Sequence, residues 1–144
     1  MERVGLTRAE EQLRAALVLL VGLPAAGFTV VYVVMAVTDD SHYPFAGNSL
    51  SKDILWLALT AVAIVDIRRY SLAVVLLVLS HLALVLGLAL VLIFGDISNI
   101  DGTLDPSWLP FGITPGTLVW IWGVADVLVA AVLTWLWRRA RRAN

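Results

Sequence analysis

The chain contains no cysteine, only two histidines and a single lysine among its 144 residues. Without cysteine it can form no disulfide, no thiolate metal site and no cysteine nucleophile. Charged residues are also scarce, at 15% of the composition, whereas hydrophobic residues reach 60%. This balance lies outside the range of soluble domains and predicts an integral membrane protein.

Sequence motifs of the common enzyme classes are missing as well. The chain has no phosphate-binding loop, dinucleotide fingerprint, zinc-protease helix or nucleophile elbow. The sequence therefore favours a protein without catalytic activity, although it does not exclude an enzyme. It predicts no cofactor, no catalytic residue and no metal site.

Long apolar runs are what the sequence does contain, and four of them predict membrane-spanning helices. The segments are residues 15–37, 50–67, 71–94 and 115–137. Each is close to the roughly 20 residues that a helix needs to cross a hydrocarbon core, and lipid offers no partner for unpaired backbone groups. The short connection around residues 66–70 favours a tight antiparallel pair. We predict one all-α domain over residues 1–144, a four-helix antiparallel transmembrane bundle.

The basic residues predict the orientation of this bundle. Nine of the ten are arginines, and all nine fall on one side: Arg3, Arg8, Arg14, Arg68, Arg69, Arg138, Arg139, Arg141 and Arg142. Because positive charge is retained on the cytoplasmic side, both termini are predicted to be cytoplasmic and the protein to lie in the cell membrane. The basic C-terminal tail is explained by this topology and by attraction to anionic lipid, so no nucleic-acid partner is predicted.

Two features of the first segment suggest local structure. The residues from Thr7 to Glu10 form a capping-box pattern that predicts a helix start before the membrane. Pro24 lacks a backbone donor and predicts a kink. If the kink opens a cavity, Pro24, Thr29, Trp56 and Thr60 are its predicted lining residues, although each is equally compatible with ordinary packing.

Two ionisable residues fall near the middle of predicted spans. His81 lies twelve residues after Arg69, and Asp126 lies twelve residues before Arg138. At 1.5 Å per residue, both are about 18 Å from the arginine-rich side. Since the two helices are predicted to run antiparallel, we expect Asp126 to face the interior and to pair with His81. Such a pair fits a contact that fixes helix register as well as it fits a proton relay.

The loops on the opposite side are rich in acidic residues. The polar cluster there consists of Asp39, Asp40, His42, Asp53, Asp96, Asp101 and Asp105. A calcium loop is not predicted, because aligning Gly102 with the invariant glycine puts Ile97 at the first ligand position. We expect solvated acidic loops. Trp108, Pro110 and Phe111 suggest that the second loop contacts the membrane surface or a partner.

Three functions remain open from the sequence. The first is a non-enzymatic accessory or structural subunit of a larger membrane assembly. The second is a proton-coupled carrier or channel that works as a homo-oligomer through His81 and Asp126. The third is a binder of haem, quinone or another apolar cofactor, with His81 as ligand. The predicted partners are the lipid bilayer and either further copies of the chain or a partner membrane subunit.

Overall fold

A computed structural model describes residues 5–38, 46–94 and 115–143. The regular structure in these ranges is entirely helical. The elements are α1 (Arg8–Leu17), a π-helical turn (Val18–Gly22), α2 (Leu23–Thr38), α3 (Ala46–Val65), α4 (Ser71–Phe94) and α5 (Pro115–Arg142). The prediction of an all-α protein is confirmed for this part of the chain.

Three of the described helices are long and apolar enough to cross a membrane. They cover Arg8–Val34, Ser71–Leu90 and Trp120–Arg142. The first and last extend beyond the predicted segments at their arginine-rich ends. The helix α3 is not among the three, so the span predicted at residues 50–67 stays a prediction.

The helical stretch from Arg8 to Thr38 starts at the predicted capping box, which is confirmed. The Glu10 amide donates to Thr7 Oγ1 at 3.3 Å, and the Thr7 amide donates to Glu10 Oε2 at 2.7 Å. Farther along, the Leu23 amide bonds to the Val18 carbonyl, five residues back. This wide turn comes directly before Pro24, whose missing donor and ring interfere with regular α-helical hydrogen bonding.

The π-helical turn keeps one face of this helical stretch buried. The buried residues are spaced by four: Ala9, Leu13, Leu17, Val21 and Ala25. In a regular α-helix such a series drifts around the axis, because 3.6 residues complete a turn. A π-turn contains more residues and counteracts the drift. The helix α3 packs nearby, and a Cβ placed on Gly22 would lie 3.3 Å from Thr60 Cγ2.

The chain divides into two compact units. Unit 1 comprises Met1–Leu77 with Val132–Asn144, and unit 2 comprises Val78–Ala131. Helices α4 and α5 contribute residues to both. In unit 1, α3 is followed by a short turn in which Asp66 Oδ1 accepts from the amides of Arg68 and Arg69 at 3.1 and 3.0 Å. The tight connection predicted around residues 66–70 is therefore confirmed.

Candidate functional site

The candidate site in unit 2 is a histidine and a carboxylate on two different helices. His81 Nε2 of α4 lies 3.8 Å from Asp126 Oδ1 of α5. The His81 residue is only 1% exposed, whereas the Asp126 side chain is 18% exposed. This separation exceeds that of a direct hydrogen bond, and it makes an ion pair only when the imidazole is protonated. Two ionisable groups that are costly to bury thus lie close together.

Helix periodicity explains why both side chains point inward. Val74, Leu77 and His81 are buried at spacings of three and four on α4. On α5, Ala130 and Leu133 are buried and continue the face of Asp126 at the same spacing. His81 therefore shares the buried face of α4 with the large apolar side chains of Val74 and Leu77.

A second contact in unit 2 gives the direction of the two helices at this site. A Cβ placed on Gly123 would lie 3.6 Å from Leu88 Cδ1. From His81 to Leu88 the residue number rises on α4, while the number of the contacting residue on α5 falls from Asp126 to Gly123. The two helices therefore run in opposite directions at this site. A Cβ at this distance would make an ordinary van der Waals contact, so alanine would also fit at position 123.

An apolar groove of about 260 Å³ lies beside the pair in unit 2. Its walls are Val85, Leu88 and Ala89 of α4 and Trp120, Gly123, Val124, Val127 and Leu128 of α5. Aliphatic and aromatic walls favour hydrocarbon over water as the occupant. The groove is therefore suited to a lipid chain or to side chains of another helix.

The residues predicted to line a cavity near the proline are in different environments. Pro24 is exposed, and Thr29 Oγ1 donates to the Ala25 carbonyl within its own helix at 2.7 Å. Trp56 and Thr60 are buried on one face of α3. A cavity shared by all four remains a prediction.

Asp53 is a buried polar residue that the sequence placed wrongly in a solvated loop. It lies inside α3, is 1% exposed, and neither carboxylate oxygen has a hydrogen-bond donor among the described residues. Its charge partner is Lys52, whose Nζ lies 3.5 Å from Asp53 Oδ1 and 4.7 Å from the centre of the Trp56 ring. The predicted span 50–67 already contained Asp53, so counting this residue with the acidic loops was inconsistent with its place on the predicted helix. Asp53 precedes Trp56 by three residues and Thr60 by seven, and this helical spacing could have predicted that it shares their buried face. The other residues of the acidic cluster lie outside the described ranges.

Sequence reasoning also missed a buried carboxylate at the arginine-rich end of unit 1. Glu10 is 1% exposed, and Arg68 binds it with two hydrogen bonds, Nε to Oε1 at 2.6 Å and Nη2 to Oε2 at 2.8 Å. Arg68 Nη2 also donates to the Gly5 carbonyl at 3.2 Å. The hydrogen bond to Glu10 raises the pKa of Arg68, outweighing desolvation. Since this pKa rises from an already alkaline value, Arg68 stays charged across the neutral range and its contribution to stability is lost only in strong alkali.

No cluster of three or more histidine, cysteine or acidic side chains able to hold a metal occurs within residues 5–38, 46–94 and 115–143. Comparisons of the chain with protein-family models, curated proteins and solved structures gave no match. The proposals below therefore depend on the chemistry of the described residues.

Proposed function

We propose that the chain is a non-enzymatic accessory or structural subunit of a larger membrane assembly. The observation that carries this proposal is the apolar groove of unit 2, which is formed by two helices and lined by aliphatic and aromatic side chains and by glycine. Membrane helices associate through close packing at small residues, because lipid is as apolar as the side chains. The exposed Ala83 and Gly87 of α4 add such a surface, and a Cβ on Gly87 would meet nothing within 4 Å.

In this proposal, the contact between His81 and Asp126 holds α4 and α5 in register. Interhelical polar contacts in membranes are worth about 0.6 kcal/mol on average, which suits a positioning role. The pair lies next to an apolar groove rather than a polar one, and this favours packing over proton transfer. The register of the two helices in turn shapes the groove.

A single-cysteine crosslinking experiment tests the subunit proposal, because the native chain has no competing cysteine. A photoreactive probe on Val124→Cys reports on the groove, and Ala125→Cys is the matched control, one residue away at nearly the same depth. We expect the groove position to give one defined protein adduct in native membranes, and the control to give none. The same adduct should copurify after gentle detergent extraction. Identical labelling from both positions, or reaction with lipid alone, contradicts the proposal.

The membrane topology is part of the proposal. Helix α3 is the fourth span, the four helices form an antiparallel bundle, and both termini are cytoplasmic. The one-sided distribution of arginines supports this arrangement. Terminal tags should be protected from protease in intact cells and cleaved after permeabilisation. Cleavage in intact cells would contradict the topology.

A second candidate function is a proton-coupled carrier or channel, acting as a homo-oligomer. The proximity of His81 Nε2 and Asp126 Oδ1 favours it, because adjacent ionisable groups inside a membrane often serve proton relays. Proton flux into liposomes containing the purified protein tests this role. Asp126→Asn should abolish the flux, whereas Asp53→Asn should retain it. Equal flux from all three proteins, or none from the native protein, argues against the carrier.

The binding of haem, quinone or another apolar cofactor is supported less well. His81 Nε2 faces the Asp126 carboxylate, so a cofactor bound through this nitrogen would have to displace that contact. An absorption spectrum of the protein purified from its native membrane tests this alternative. A pigment lost in His81→Gln would favour cofactor binding over the subunit role.

A further inference from the structure

We infer that unit 1 contains a binding pocket for a phosphate-bearing anion, namely the headgroup of an anionic phospholipid. The pocket is a cavity of about 600 Å³ at the arginine-rich end of the unit. Its polar lining consists of Glu10, Arg68, Ser71, Trp137 and Arg141. This inference does not depend on whether the chain is a subunit or a carrier.

The hydrogen-bond donors of Trp137 and Arg141, two residues that line the pocket, indicate the chemistry of the ligand. The Trp137 Nε1 atom is buried and has no hydrogen-bond acceptor in the described part of the chain. An indole nitrogen can only donate, and a guanidinium can only donate as well. The complementary ligand therefore presents acceptor oxygens, as a phosphate does.

The charges around the pocket favour an anion. Glu10 and Arg68 are bound to each other, so their charges offset. Arg141 remains: its Nη2 donates to Ser71 Oγ at 3.4 Å, and its guanidinium carbon lies 4.7 Å from the centre of the Trp137 ring. Ser71 is also the first residue of α4, so the positive end of a long helix dipole lies at the same place.

The remaining lining favours a lipid over free phosphate. Leu13, Ile67 and Ala140 form an apolar wall of the pocket and are themselves buried. Trp137 and Arg141 lie at the end of the candidate span Trp120–Arg142, where headgroups meet a transmembrane helix. A ligand with both a phosphate and apolar groups fits this combination, whereas inorganic phosphate uses only the polar side.

The chain provides a matched control pair for the test. Trp135 and Arg139 repeat the arrangement of Trp137 and Arg141 two residues earlier, with the guanidinium carbon 5.5 Å from the ring centre. Trp135 is 59% exposed, and Arg139 Nη1 contacts Gln12 Oε1 at 3.5 Å. Neither residue lines the pocket. The two pairs therefore distinguish a defined pocket from general attraction of a basic helix to an anionic surface.

The experiment measures lipid adducts of the full-length protein by native mass spectrometry, with phosphatidylglycerol, phosphatidylcholine or inorganic phosphate added to the detergent solution. We expect phosphatidylglycerol to bind in preference to phosphatidylcholine. Trp137→Phe, which removes the donor and keeps the ring, and Arg141→Gln should each weaken this binding about fivefold. Trp135→Phe and Arg139→Gln should leave it within about twofold of the native protein.

Three results would overturn the inference. Equal weakening by both pairs of variants would indicate attraction by the whole basic surface. Binding of inorganic phosphate at the pocket without preference for phosphatidylglycerol would make a free anion the ligand. No difference between the lipids would exclude the site. Melting of each variant in lipid-free detergent controls for misfolding, and Arg141→Lys should recover part of the affinity because it restores the charge.

Discussion

The arginine-rich end of unit 1 and the pair of His81 and Asp126 in unit 2 hold their carboxylates in different ways. Glu10 accepts hydrogen bonds of 2.6 to 2.8 Å from the Arg68 guanidinium and the Thr7 amide. His81 Nε2 and Asp126 Oδ1, by contrast, are 3.8 Å apart on two separate helices. The two parallel hydrogen bonds from the Arg68 guanidinium fix the position of the Glu10 carboxylate locally. The longer contact between His81 and Asp126 depends on the register of two helices. We therefore expect the first contact to contribute to folding and the second to the alignment of helices.

Breaking the Glu10 contact is expected to have the largest effect on stability. Arg68→Ala leaves a carboxylate that is 1% exposed without its charged partner. It should lower the melting temperature in detergent by several degrees more than Arg69→Ala, which removes an equal charge from the same turn. Glu10→Gln should be milder, because it removes the buried charge and keeps an acceptor for Thr7. Equal effects of the two arginine variants would show that the hydrogen bonds from Arg68 to Glu10 do not contribute to stability.

Asp53 is an intermediate case, since it is buried and has an ion partner but no hydrogen bond to its oxygens among the described residues. Lys52→Met should reduce the free energy of unfolding by about 1–3 kcal/mol, because it leaves a buried charged acceptor without compensation. Asp53→Leu combined with Lys52→Met should recover this loss, because it removes the buried carboxylate together with its half-exposed partner. Denaturation of the single and double variants measures both effects. A double variant less stable than Lys52→Met would mean that the carboxylate has an unrecognised partner.

The smallest expected effect concerns helix packing around the π-helical turn in unit 1. Gly27→Ala should stabilise the protein by about 0.5–1 kcal/mol, because a Cβ there meets nothing within 4 Å and alanine favours the helix. Gly22→Ala should lose this gain, since its Cβ would press on Thr60 Cγ2 at 3.3 Å. Melting temperatures of the two variants compare the sites directly. An equal gain at both would mean that α3 does not restrict Gly22.

Long apolar runs predicted the helices and a four-residue motif predicted the capping box, because both depend on residues near each other in the chain. Counting residues from the nearest arginines also predicted that His81 and Asp126 lie at equal depth, since each helical residue adds a fixed rise. Burial was harder to predict because it depends on which surface a neighbouring helix covers. The sequence identified Glu10 only as part of the capping box and counted Asp53 among the loop residues, yet both are buried. The binding partners of the protein are still less accessible to such reasoning.

A double-mutant cycle on the pair of unit 2 tests the central claim most directly. Asp126→Asn and His81→Gln are measured singly and together for the free energy of unfolding in detergent, with Asp126→Asn and Asp53→Asn as a control pair from different units. If the pair holds α4 and α5 in register, its coupling energy should be about 0.5–3 kcal/mol, while the control pair should be additive. Additivity of the His81 and Asp126 variants within about 0.3–0.5 kcal/mol would contradict the claim.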